Sequence, residues 1–248
     1  MTNWLWAIIS VIIVSLISLI GIFFVIIKIE QLRKILLFLV SFAVGGLFGS
    51  AFLHLIPESF DRFGINFMTP LLVLTGIAIF FALEKFLRWR HCHLVTCDEH
   101  PHPIVVMNIV GDAVHNFIDG LIIGASYLIS IPIGLTTTLA VILHEIPQEI
   151  GDFGILIYGK LPISKALLYN FLSALTAILG TIVSLIIGSH IFNYASYLLP
   201  ITAGGFIYIA GSDLIPELQH ETKLSSSILQ FFSILLGFLV MFGLHTIH

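Results

Sequence analysis

Long apolar runs alternate with short polar breaks along nearly the whole chain. Splitting it at charged residues, Pro and Gly gives eight runs, near 4–27, 35–56, 68–87, 104–129, 132–157, 163–188, 196–215 and 225–245. A helix of about 20 mainly apolar residues crosses the roughly 30 Å hydrocarbon layer of a bilayer. The pattern therefore predicts an all-α polytopic membrane protein, with residues 1–248 as a single domain of eight transmembrane helices.

The second and seventh runs share a gapless motif. Ala43-Val44-Gly45-Gly46 leads to His54-Leu55-Ile56-Pro57-Glu58, and Thr202-Ala203-Gly204-Gly205 leads to Asp213-Leu214-Ile215-Pro216-Glu217, every pair 159 positions apart. Four helices lie between the two copies, so they run in opposite directions. Helices 1–3 and 6–8 around a central pair 4–5 form a 3+2+3 inverted repeat, the plan of many secondary transporters.

Composition agrees. Hydrophobic residues make up 58% and charged residues 10% of the chain, with a mean hydropathy of +1.10, whereas a soluble domain is about one quarter charged. The first run has no basic residue before it and no small-residue cleavage site after it, so it reads as a retained helix rather than a signal peptide. Cys92 and Cys97 both fall in the 88–103 loop, too few to suggest a disulfide framework. No nucleic-acid footprint is visible, and lipid is the expected surrounding partner.

Charge gives the orientation. Lys28, Arg33, Lys34, Lys85, Arg88, Arg90, Lys160, Lys165 and Lys223 fall at one end of the helices and only Arg62 at the other. Lys and Arg concentrate on the cytosolic side, which puts both termini outside a plasma membrane and the 88–103 loop inside.

Two runs are not uniformly apolar. Asp112, His115, Asn116 and Asp119 share one face of helix 4, and His144, Glu145, Gln148, Glu149 and Asp152 form a stripe on helix 5. An ionised Asp at the centre of a membrane helix costs about 2.5–3.5 kcal/mol, yet neither span contains Lys or Arg. A cation, protons or water must offset these carboxylates. Imidazole mixed with carboxylate and amide oxygen suits Zn²⁺, and Fe²⁺, Mn²⁺ or Cd²⁺ also fit. The alternatives are a polar interface that joins helices and a proton relay without metal; nine polar groups with an excess of carboxylates exceed what helix joining needs.

His115-Asn116-Phe117-Ile118-Asp119-Gly120 and His144-Glu145-Ile146-Pro147-Gln148-Glu149-Ile150-Gly151-Asp152-Phe153 resemble the signatures of the ZIP family of zinc and iron transporters. The resemblance covers nearly the whole chain and implies the 3+2+3 arrangement, divalent metal ions carried into the cytosol as substrate, and homodimers. It makes His115, Asp119, His144 and Gln148 the expected first metal site, with Asn116, Asp119 and Glu145 at an adjoining second. Gln148 departs from the family pattern, which places His or a bridging carboxylate there. One well-occupied central metal is therefore expected, with Glu149 the first alternative source of a bridge.

Other groups mark a route. His54 and Glu58 sit at the outer end of helix 2 and Asp213 and Glu217 at the inner end of helix 7, as entrance and exit, while Asp112 and Asp152 lie between the centre and the cytosol. Pro147 frees the carbonyl of Leu143 within the helix 5 stripe. The 88–103 loop, with four His and two Cys, has a metal-binding composition but no zinc-knuckle spacing. Two rival functions differ in class. An intramembrane zinc protease would need His-Glu-x-x-His on helix 5, but Gln148 stands where the second His belongs. A metal-dependent membrane sensor would share the ligands without transport. No enzymatic activity is expected.

Overall fold

Among the described residues, the apolar runs fold into helices. A computed structural model describes residues 2–22, 29–89, 103–191 and 193–246. Helix α1 is Thr2–Ile17, prolonged by a 3-10 turn at Ser18–Ile22. Helix α2 comprises Ile29–Ser50, a π turn at Ala51–Leu55 and Ile56–Phe63; α3 is Met68–Trp89, α4 is Pro103–Ile129 and α5 is Ile131–Tyr158. Helix α6 comprises Ile163–Ala174 and, after Leu175, Thr176–His190; α7 comprises Tyr194–Tyr208, a π turn at Ile209–Leu214 and Ile215–Gln219; α8 is Leu224–Thr246. No strand occurs among the described residues. The Cys- and His-bearing loop lies outside them at 90–102.

All the rods except α4 and α5 include a stretch long and apolar enough to cross a membrane. Helices α4 and α5, which carry the polar stripes, have 27 and 28 residues. At about 1.5 Å per residue each exceeds the roughly 30 Å hydrocarbon layer. The chain is an integral, all-α polytopic membrane protein.

Short turns reverse the chain. Ser130 caps α5 by accepting from the Ile133 amide at 3.3 Å, with Pro132 in the first turn, where its missing donor costs nothing. Opposite directions show in the contacts. Asn3, at the start of α1, donates to Tyr127 O near the end of α4, and Arg62, at the end of α2, reaches Ser196 at the start of α7.

The two repeats interleave in space. Helices α1, α4, α5 and α6 pack on one another, and α2, α3, α7 and α8 form the other group; the groups meet mainly where α5 lies against α2 and α4 against α7. Repeat-equivalent positions behave alike. The hydroxyl of Ser15 donates to Ala174 O at 2.9 Å, a bond between residues 159 apart. A Cβ at Gly45 would overlap Ile234 O of α8, and one at the equivalent Gly204 would overlap Val73 O of α3. Both π turns precede a Pro one residue inside the next helical segment, Pro57 and Pro216. A Pro ring clashes with the carbonyl four residues back, and widening that turn by one residue relieves the clash.

Close approach also sets the α4–α6 crossing, where a Cβ at Gly120 would overlap Ala177 O and one at Gly180 would overlap Phe117 O. Backbone at this distance tolerates only small residues. Gly120→Ala is expected to lower stability by about 1–3 kcal/mol, the usual cost of overpacking. Gly151→Ala, where a Cβ meets nothing within 4 Å, is expected not to destabilise. Thermal unfolding of the purified variants in detergent checks the contrast.

Candidate metal centre

The helical stripes on α4 and α5 face each other midway along both helices. His115 Nε2 lies 3.3 Å from His144 Nε2, 3.4 Å from Glu145 Oε1 and 3.7 Å from Asp119 Oδ2. His144 Nε2 lies 3.1 Å from Asp119 Oδ2 and 3.8 Å from Glu145 Oε1. One ligand atom from each of these four residues falls within 4.8 Å of the other three. Ligands about 2.0–2.1 Å from a tetrahedral Zn²⁺ stand about 3.3 Å apart, so the donor set needs only small adjustments to close on such an ion.

Hydrogen bonding orients the group. Nδ1 of His144 lies 3.0 Å from Ala140 O, and a carbonyl can only accept, so Nδ1 carries the proton and Nε2 presents its lone pair to the cluster. Among the described residues, none donates a hydrogen bond to the buried Asp119 Oδ2 or Glu145 Oε1. Asp119, His144 and Glu145 are each 1% exposed and His115 22%. Lone pairs and anionic oxygens converging in an apolar interior repel one another, and a cation between them removes the repulsion.

The remaining stripe residues are placed differently. Asn116 donates to Asp112 Oδ1 at 2.8 Å, and the Ser173 hydroxyl of α6 donates to Asp112 Oδ2. Glu149 turns away from the four-residue cluster and accepts from Asn170 of α6 through Oε2, while its Oε1 is buried without a donor. Asp152 accepts from Asn108 of α4 at 2.6 Å. The structure thus divides the carboxylates: Asp119 and Glu145 face the imidazoles, and Asp112, Glu149 and Asp152 are held by neutral amides and a hydroxyl. Sequence analysis missed Asn108, whose only signal was an amide one turn before Asp112.

Gln148 is half-buried and lines, with His144, Pro147 and Asp152, a cavity of about 980 Å³ that continues between α2, α5 and α7 to the end of α7. That is the end bearing Lys160, Lys165 and Lys223. His54 is buried in the π turn of α2. Glu58, at the far end, accepts from Arg62 Nε at 2.7 Å. Asp213 and Glu217 fall on the second π turn and the short helix after it; their side chains lie outside the described residues.

The described residues form an all-α polytopic membrane protein in which imidazole and carboxylate groups of two facing helices make a candidate metal centre. The family model described as ZIP zinc transporter matches residues 1–105 and 94–245. The chain belongs to that family. It is 30% identical over 272 residues to zinc transporter zipt-7.1 of Caenorhabditis briggsae, which covers 82% of this chain and 69% of that protein. It is 34% identical over 218 residues to zinc transporter ZIP13 of Pongo abelii, covering 82% and 65%. With zinc transporter ZIP10 of Danio rerio it shares 39% identity over 145 residues, 56% of this chain and 17% of the other. The chain thus spans about a sixth of ZIP10 and about two thirds of the other two.

Removing the donor from a buried carboxylate is costly, about 1–3 kcal/mol for the group left unsatisfied. Asn170→Leu is expected to destabilise the protein by that order through Glu149, and Glu149→Leu in the same background to recover part of the loss. Unfolding midpoints of the two single variants and the double variant measure the coupling.

Proposed function

We propose that this chain carries divalent metal ions, zinc foremost, across a plasma membrane into the cytosol. The observation that carries the proposal is the His115–Asp119–His144–Glu145 cluster at the head of a cavity leading to the basic end of the bundle. Family membership and the names of the zinc transporters it resembles support the substrate. Two imidazoles among the ligands favour Zn²⁺ over Mg²⁺ or Ca²⁺, and the same set accepts Fe²⁺, Mn²⁺ or Cd²⁺.

Orientation follows from the nine-to-one distribution of Lys and Arg. The basic end faces the cytosol, both termini face outward, and the cavity is the inner half of the route. An ion enters past His54 and Glu58, and exchanges water for the central ligands. It leaves past Gln148 and Asp152 toward Asp213 and Glu217. Asp119 and Glu145 supply the charge that draws it in, and the imidazoles set the preference. Pro147 on the cavity wall prevents α5 from closing its ladder beside His144, so the carbonyl of Leu143 is available to the ion or its water. Asn116, Gln148 and Glu149 flank the first ion as neutral or distant groups and offer no bridging charge to a second.

His144→Ala is expected to abolish Zn²⁺ uptake into proteoliposomes containing only this protein, with the unfolding midpoint close to that of wild type. Uptake at the wild-type rate would assign the stripe a structural role. Gln148 gives a separate outcome. Two divalent ions a few ångströms apart repel strongly unless anions bridge them, so the purified protein is expected to hold one tightly bound central ion. Gln148→Glu is expected to raise the count toward two and to slow release. Metal analysis of the purified proteins after dialysis provides the count, and two tight central ions in wild type would contradict it.

A further inference from the structure

The cavity that ends at the central cluster shows which faces of α2 and α5 line the route, and the helical period carries those faces past the cluster. On α5 the cavity is lined by His144, Gln148, Gly151 and Ile155, at the alternating four- and three-residue spacing of one helix face. The same spacing continued toward the opposite end reaches Val141 and then Thr137. On α2 the cavity is lined by Leu36 and Val40, and their stripe continues through Ala43 and Leu47 to Ser50. Beyond the cluster the two faces are closed, with Ala43, Leu47 and Val141 all 0% exposed.

Two hydroxyls stand in that closed part. Ser50 and Thr137 are fully buried, and neither Ser50 Oγ nor Thr137 Oγ1 has a hydrogen-bond partner among the described residues. Ser41, Ser59 and Thr138 instead donate to the carbonyl four residues back. A buried hydroxyl without a partner costs stability. The two also lie at similar depth. A Cβ at Gly46 would lie 2.5 Å from Leu143 Cδ1, which sets α2 and α5 level there. From that level Ser50 is about 6 Å and Thr137 about 9 Å toward the end away from the cavity, at about 1.5 Å per residue. The repeat gives an independent sign. At the offset of 159 Ser50 corresponds to Ile209 of α7, which lines the open cavity. In an inverted repeat the face that lines one half of a route in one copy lines the other half in the other copy.

We propose that Ser50 and Thr137 form a neutral-oxygen contact site for the divalent cation on the closed half of the route, between His54 and the central cluster. It deepens the transport proposal and rests on it for direction. Between Ala43, Leu47 and Val141 a hydrated cation loses water to apolar walls, and hydroxyls on two facing helices replace part of that water or hold what remains. Neutral oxygens help the ion past without the charge that would retain it. While this half is closed they have nothing to bond, which accounts for two buried hydroxyls left without partners.

The test combines transport with stability. Ser50→Ala and Thr137→Val remove the hydroxyls with little change of shape. The double variant is expected to unfold at the wild-type midpoint or above it, to keep one tight Zn²⁺ after dialysis, and to take up saturating Zn²⁺ into proteoliposomes about tenfold more slowly, as for the loss of one charge-assisted contact from the barrier. Thr137→Ser, which keeps the hydroxyl, is expected to transport like wild type. Uptake by the double variant at the wild-type rate, or a loss in Thr137→Ser equal to that in Thr137→Val, would overturn the proposal. A second measurement does not depend on transport. In a Cys92→Ser/Cys97→Ser background, Ser50→Cys/Thr137→Cys is expected to hold one more tight Cd²⁺ in equilibrium dialysis than either single cysteine variant. If the pair holds no more than the singles, the two positions share no space and the proposal fails, whatever the uptake. If the pair gains the ion while wild type takes up no Zn²⁺, the transport reading fails and the contact site stands.

Discussion

Five carboxylates on two helices that contain no basic residue are the constraint around which the molecule is organised. At about 2.5–3.5 kcal/mol for each Asp at a bilayer centre, the five together cost on the order of 10 kcal/mol, as much as the whole stability of a typical domain. The fold meets the demand in two ways. Asp112, Glu149 and Asp152 receive hydrogen bonds from Ser173, Asn170 and Asn108. Asp119 and Glu145 instead keep buried oxygens without donors beside two imidazoles. Amides and a hydroxyl serve the first three, and in the proposed function a cation offsets the charge of the two that face the imidazoles.

Helix packing makes that division possible. Gly120 and Gly180 bring α4 and α6 close enough for Asn170 and Ser173 to reach across, while α5 lies between α4 and α2 and exposes its other flank to the cavity. The prolines serve the same end. Pro57 and Pro216 each follow a widened turn that also carries the polar residue of the repeat, His54 or Asp213. Pro147 lies on the cavity wall next to His144 and Gln148. Each interrupts the backbone ladder within one turn or so of a polar residue, which a membrane helix tolerates only beside protein or water.

Much of this was legible in the chain. The 3.6-residue period put His115 and Asp119 on one face and His144 and Glu145 on another, and the spacing of 159 paired the two Pro-Glu motifs, though not the π turn that precedes each. Periodicity identifies a face but not the neighbour it meets. Glu145 was expected beside Asn116 in a second site, whereas it joins both histidines, and Asn116 turns its amide to Asp112. Glu149, a candidate bridge, sits one turn beyond Glu145 and accepts from Asn170 of α6 instead. The interleaving of the repeats was equally hidden, since sequence order groups α1 with α2 and α3 while packing groups it with α4, α5 and α6.

The most direct test of the account is the coordination of the bound ion itself. X-ray absorption at the zinc edge, on protein loaded with one equivalent of Zn²⁺, is expected to show only nitrogen and oxygen ligands at about 2.0–2.1 Å. The outer-shell scattering of two imidazoles should accompany them, and both imidazole signals should diminish in His144→Ala. A sulfur shell at about 2.3 Å, or a spectrum unchanged by His144→Ala, would place the tight ion on Cys92 and Cys97 or elsewhere and contradict the assignment of the central cluster.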